Sequence, residues 1–129
     1  MRILIADDHE VVRRGVCSVL ESYPDYKVCG EATNGDEAVK LAAKLHPDFI
    51  VLDVSMPMLD GFSAAKKIKE ASPETPILML SMHAGREMVR ASQAAGAQGF
   101  VTKTDVAAVL LTAVEALRQG KTFFTDNNF

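Results

Sequence analysis

Five short apolar runs, separated by stretches of helical spacing, constrain this chain more than any other feature. They are residues 2–7 (RILIAD), 27–31 (KVCGE), Phe49–Asp53 (FIVLD), Ile77–Ser81 (ILMLS) and Gly99–Thr102 (GFVT). Four of them show no alternation of apolar and polar residues. That pattern suits strands covered on both faces, as in a parallel sheet. The second run is weaker and is expected nearer an edge.

Helical spacing fills the gaps. Val12, Val16, Val19 and Leu20 share one face; Ala38, Leu41, Ala42 and Leu45 share another. Asn34 is the expected N-cap of the second helix, with Glu37 as its capping-box partner and Pro47 as its stop. Phe62, Ala65 and Ile68 give a third stripe. The fifth is the clearest, with Val106, Val109, Leu110, Ala113, Val114 and Leu117 at spacings of three and four, and Gly120 placed to cap it. The fourth, residues 86–95, relies on Met88, Ala91, Ala94 and Ala95, which bury little area. It is expected to be helical but the least firmly held.

Strand and helix alternating in this way define an α/β chain. A length of 129 residues is one domain and about half of what a closed eightfold barrel needs. The expected fold is an open, doubly wound, five-stranded parallel sheet with helices on both faces and right-handed crossovers. Residues 1–120 form the domain, and 121–129 (KTFFTDNNF) read as a frayed tail or the start of a linker.

Composition narrows the function. The net charge of −3 and the lack of any basic cluster beyond KKIK argue against nucleic-acid binding by this chain alone. Cys17 and Cys29 have no metal-ligand spacing and read as small apolar residues of a reducing compartment. No signal peptide or membrane-length apolar run is visible, so the expected location is the cytoplasm.

In an open parallel sheet the C-terminal ends of the strands share one edge, and ligands bind there. The first run ends in Asp7 and Asp8, the third in Asp53, the fourth in Ser81, the fifth in Thr102 and Lys103. Three carboxylates therefore meet one ammonium and a hydroxyl. At ~5 Å and an effective dielectric of ~20, each like-charge pair costs roughly 3 kcal/mol. A raised carboxyl pKa or a bound cation relieves that cost. With no His or Cys counted among the strand-end groups, the ligands are oxygens, which points to Mg²⁺ (or Mn²⁺) and away from zinc. A carboxylate nucleophile beside a cation, a lysine and a hydroxyl is a set for phosphoryl transfer.

Taken singly, these residues have ordinary roles. Asp7 or Asp8 is an expected N-cap of the first helix, and Asp60 before Gly61 an expected turn or cap residue. His9, His46 and His83 default to surface or loop positions. The Met56/Met58 pair around Pro57 reads as loop packing. The joint placement at four strand ends carries the functional argument.

These residues, in ILIADDH, VLDVSMPMLDG, ILMLS and GFVTK, make the chain resemble a bacterial two-component response-regulator receiver domain over residues 1–119. The DDHEVVRRGV opening and the AVEALRQGKTFF ending look most like the NarL/FixJ type. The resemblance implies a CheY-like fold and a signalling switch rather than an enzyme acting on an external substrate. It makes Asp53 the phosphoacceptor and Asp8 a Mg²⁺ ligand, with Asp7 acting through water and the Ser55 backbone carbonyl as a further ligand. Lys103 would pair with the phosphoryl group, Ser81 would sense it, and Phe100 would be the aromatic switch. A histidine kinase would supply the phosphate, and a homodimer on phosphorylation is a further expected assembly. DNA would be reached only through an effector domain absent from this chain, which reads as a piece of a longer regulator or a stand-alone receiver. Thr104 stands where many relatives have proline. Two other readings of the same architecture fit less well. A flavodoxin-like FMN carrier would need phosphate donors where this chain has DDHE. An aspartyl phosphatase would need a second acid at Ser55 and a cap domain.

Overall fold

A computed structural model describes residues 1–124. Along it strand and helix alternate: β1 (Arg2–Ala6), α1 (Glu10–Glu21), β2 (Lys27–Ala32), α2 (Gly35–Leu45), β3 (Phe49–Asp53), α3 (Gly61–Ala71), β4 (Ile77–Ser81), α4 (Arg86–Ala94), β5 (Gly99–Thr102), α5 (Val106–Arg118) and β6 (Phe123–Phe124). The sheet order is β2-β1-β3-β4-β5-β6, with every neighbouring pair parallel.

Successive strand residues point to opposite faces, so each apolar run feeds two cores. Leu4, Ile50, Leu52, Met79 and Phe100 face α2, α3 and α4, where they meet Ala38, Ala64, Ile68 and Val89. Ile3, Ile5, Val51, Leu80 and Val101 face α1 and α5, where they meet Val16, Leu20, Leu110 and Val114. β3 and β4 are buried along their whole length. At about 1.5–3 kcal/mol for each fully buried large aliphatic side chain, these two layers dominate the stability. β2 forms one edge of the sheet, half-exposed, and its register with β1 slips between Ile3 and Leu4.

Local signals explain most helix ends. Asn34 Oδ1 accepts from the Glu37 N–H at 2.8 Å, and Glu37 Oε1 accepts from the Thr33 N–H at 2.8 Å, one residue outside the expected box. Asp60 caps α3 by accepting from the Ser63 N–H at 3.0 Å. Gly120, at φ 80°, closes α5 with bonds from its own N–H to the Leu117 carbonyl and from the Lys121 N–H to the Ala116 carbonyl.

Four details differ from expectation. A sixth strand exists: Phe123–Phe124 pairs with β5, drawing chain beyond Gly120 into the sheet. Two residues are too short to show a period. The part of the tail at 125–129 lies outside the described residues. α1 is capped at His9, without a side-chain cap bond, rather than at Asp7 or Asp8. α4 buries Val89 and Ser92 in place of Ala91 and Ala94, with Ala95 buried just beyond its end. Of the methionine pair, Met56 packs in the core but Met58 is exposed. All described peptide bonds are trans, Lys103–Thr104 included.

Candidate functional site

The neighbours of β1 are β2 on one side and β3 on the other, so the chain reverses its direction of winding there. The crevice at the C-terminal ends of β1 and β3 is where folds of this kind hold ligands. Asp7 follows β1 and Asp53 closes β3; both are buried, while Asp8 is exposed at the rim. The Asp7 N–H still bonds the Ala32 carbonyl at 3.0 Å, continuing the sheet ladder and fixing the start of the loop.

Lys103, buried after β5, ties these strand ends together. Its Nζ donates to Asp53 Oδ2 at 3.0 Å and to Asp7 Oδ1 at 3.1 Å, and lies 2.9 Å from Asp7 Oδ2. The last approach is an ion-pair contact, so the Lys103 ammonium sits against both carboxylate oxygens of Asp7. Asp53 Oδ1 accepts from the Ser55 N–H at 3.2 Å. Burial is the main force raising the Asp53 carboxyl, to about 6; the Lys103 hydrogen bond opposes it and the Asp7 charge adds to it.

The β3–α3 loop is held close beneath Asp53. The Gly61 N–H bonds the Val54 carbonyl at 2.8 Å, and a Cβ on Gly61 would lie 2.0 Å from the Asp53 carbonyl oxygen. Only glycine fits there. Ser55 is exposed at this loop. The Ser81 side chain is buried at the end of β4, where its hydroxyl accepts from the His83 N–H at 3.0 Å. Phe100 is fully buried on the α4 side of the sheet, opposite Met79 in the β4–β5 register.

The structure thus brings Asp7, Asp8, Asp53 and Lys103 together and places Ser81 at the neighbouring strand end. Two participants escaped sequence reasoning. His9 is exposed in the loop after Asp8, as expected, yet its ring turns back over the strand-end acids, where the expected ligand set holds only oxygens. Its Nδ1 in fact lies 3.2 Å from Asp7 Oδ1, 3.5 Å from Asp8 Oδ1 and 2.9 Å from Lys103 Nζ. Its position directly after the acid pair was the available signal. Arg13 donates to the Asp7 carbonyl at 2.9 Å and to Glu31 at 3.0 Å, pinning the β1 end to β2.

Three carboxylates and one ammonium leave the site with excess negative charge. Asp7, Asp8, His9 and Asp53 each offer one ligand atom, all within 4.8 Å of one another. The excess charge and the convergent ligand atoms fit a divalent cation.

The match to known proteins agrees with this geometry. Residues 3–115 match the response regulator receiver domain family, and the chain belongs to it. It is 38% identical over 121 residues to the transcriptional regulatory protein LiaR of Bacillus subtilis, covering 94% of this chain and 57% of LiaR. It is 39% identical over 124 residues to the oxygen regulatory protein NreC of Staphylococcus epidermidis, covering 95% of this chain and 57% of NreC. The chain therefore spans little more than half the length of these regulators. A crystal structure of a LuxR-family two-component response regulator from Aurantimonas sp. superposes with a TM-score of 0.91 at 34% identity, covering 98% of this chain and 90% of that one. The expected receiver fold is the fold found. Among the described residues no helix is long and apolar enough to cross a membrane.

Proposed function

We propose that this domain is a phosphorylation-controlled switch whose phosphoacceptor is Asp53. The observation that carries the reading is a buried carboxylate at the end of a central strand, held by Lys103 beside Asp7 and exposed to a surplus of negative charge. A histidine kinase supplies the phosphoryl group: an Asp53 carboxylate oxygen forms the new O–P bond, the N–P bond of the phosphohistidine breaks, and the electron pair leaves with the imidazole.

The residues that would hold Mg²⁺ are Asp8, Asp53 and the Ser55 carbonyl directly, with Asp7 through water. The cation supplies charge neutralisation at the phosphoryl oxygens. Lys103 offsets charge on the same group, and its buried ammonium needs no reorganisation to do so. Ser81 donates to the phosphoryl group once it is in place, and Phe100 couples that movement to the packing under α4. The output is transcriptional, through a DNA-binding domain in the longer regulator. This last step follows the named functions of LiaR as a transcriptional regulator and of the LuxR-family structure.

Incubation with a small acyl phosphate and Mg²⁺, followed by intact-mass spectrometry, tests the assignment. The wild type gains one phosphate and Asp53→Asn gains none. Equal labelling of the two proteins rules out Asp53 as the acceptor.

A further inference from the structure

The sheet edge at β5 is shaped to receive β6. Gly99 and Phe123 are partners in the parallel register, and so are Phe100 and Phe124. A Cβ on Gly99 would lie 2.9 Å from the Phe123 carbonyl oxygen, 2.7 Å from Leu78 Cδ1 and 3.3 Å from Leu117 Cδ1. The missing side chain therefore lets the β6 backbone close on β5. Phe123 packs on the α5 side, against the layer that holds Leu78 and Leu117. Phe124 packs on the other side, against the layer that holds Phe100, Met79 and Val89. One aromatic ring thus grips each face of the sheet.

The two ends of β6 are held differently. At its start, the Phe123 N–H donates to the Gln98 carbonyl at 3.0 Å. Gln98 is itself fixed to β4: its N–H donates to the Ile77 carbonyl at 3.0 Å, and its Oε1 accepts from the Ile77 N–H at 3.0 Å. At the far end the register partner is Phe100. Phe100 is fully buried, whereas Phe124 is only half-buried against the same layer. Close-packed layers have no slack, so a displaced Phe100 takes contacts from the neighbour that is least enclosed. A strand of two residues has little else to keep it docked, and such elements open at low cost.

We infer that β6 is a conformational output of the Asp53 site: phosphorylation there shifts Phe100 and releases the Phe123–Phe124 strand from the β5 edge. The inference rests on the reading of Asp53 as the phosphoacceptor and of Ser81 and Phe100 as its coupling. It adds a strand with two states, docked and released, to that reading. Coupling of this kind is reciprocal, so release of β6 also favours the phosphorylated state.

Residue-resolved amide exchange of the wild type, with and without an acyl phosphate and Mg²⁺, tests it, with the added phosphate counted by intact mass. Phosphorylation speeds exchange of the Phe123 amide at least about fivefold. The Lys121 amide, which donates to the Ala116 carbonyl at the end of α5, keeps its rate. A second measurement uses Phe124→Ala, which removes the ring and none of the backbone bonds. It binds beryllofluoride, a phosphoryl mimic, about fivefold more tightly than the wild type in the presence of Mg²⁺. A phosphorylated wild type whose Phe123 amide exchanges no faster overturns the release of β6 and leaves Asp53 as the acceptor. Unchanged or weaker beryllofluoride binding by folded Phe124→Ala does the same. A wild type that gains no phosphate overturns both readings. Should Phe124→Ala fail to fold, the wild-type exchange decides alone.

Discussion

Asp53 is a residue whose proposed role opposes stability. Its carboxyl is raised from an ordinary 3.8 to about 6, chiefly by burial, so between about pH 4 and 6 the folded chain holds a proton there that the unfolded chain has released. Stability from this group is fully present below about pH 4 and is lost as pH rises through about 6. At pH 7 and without divalent cation, Asp53→Asn is therefore expected to be about 2 kcal/mol more stable than the wild type in urea unfolding. The gap should close near pH 4, and Mg²⁺ should narrow it by stabilising the wild type alone. An Asn variant less stable at pH 7 would contradict this account. Asp7, Asp53 and Lys103 were legible in the sequence because each directly follows or ends a strand, and strand ends in a parallel sheet share an edge. His9 was not legible. Whether the residue after an acid pair folds back over it or turns to solvent depends on the loop, and no period marks that choice. Nor could the sequence show that Asp7 turns its oxygens to Lys103 and the His9 N–H, leaving His9 itself to begin α1.

Among the elements, the β3–α3 loop is the one most tightly tied to the site. A Cβ at Gly61 would meet the Asp53 carbonyl oxygen at 2.0 Å and Val54 Cα at 2.8 Å, and both are backbone atoms that cannot move aside alone. Gly61→Ala is expected to cost about 2–4 kcal/mol in thermal or urea unfolding and to slow Asp53 phosphorylation in whatever fraction folds. Asp60 is a separate device on the same loop. It holds the first turn of α3, and the Ser63 N–H bond sets its carboxyl below the usual range. The sequence already marks Asp60 as a turn or cap residue, whereas the backbone clash that requires glycine at 61 shows only in the fold. α4 is the counterexample of a weak element. It buries Val89 and Ser92, starts after Gly85 at φ 135° with no side-chain cap, and spends the Ser92 hydroxyl on the Met88 carbonyl at 2.8 Å. Its expected stripe is only partly the buried side: Met88 packs against the core and Ala95 lies in it, Ala94 is exposed, and Val89 and Ser92 complete the face.

At the scale of the molecule, the parallel sheet joins the strand ends of the site to the face under α4. Ser81 and Thr102 pair across β4 and β5, and Phe100 lies two residues back along β5 under α4. Under the proposed function, this register would carry a movement at Ser81 to the packing beneath α4. Phosphorylation by an acyl phosphate is expected to change amide hydrogen exchange in α4 and β5 while leaving α2 and its Asn34 cap unchanged. Identical exchange in the two states would count against Ser81 and Phe100 as the coupling. The sequence by itself determined that strands and helices alternate and which runs are buried on both faces. It also determined which acids and which lysine arrive at strand ends, because these follow from local periodicity and from the direction of a parallel strand. Only the tertiary structure decided that β1 sits between β2 and β3, that Phe123 and Phe124 extend the sheet, and that His9 joins the acids. Those outcomes depend on which segments, far apart in the chain, pack against each other, and no local pattern records that free-energy balance.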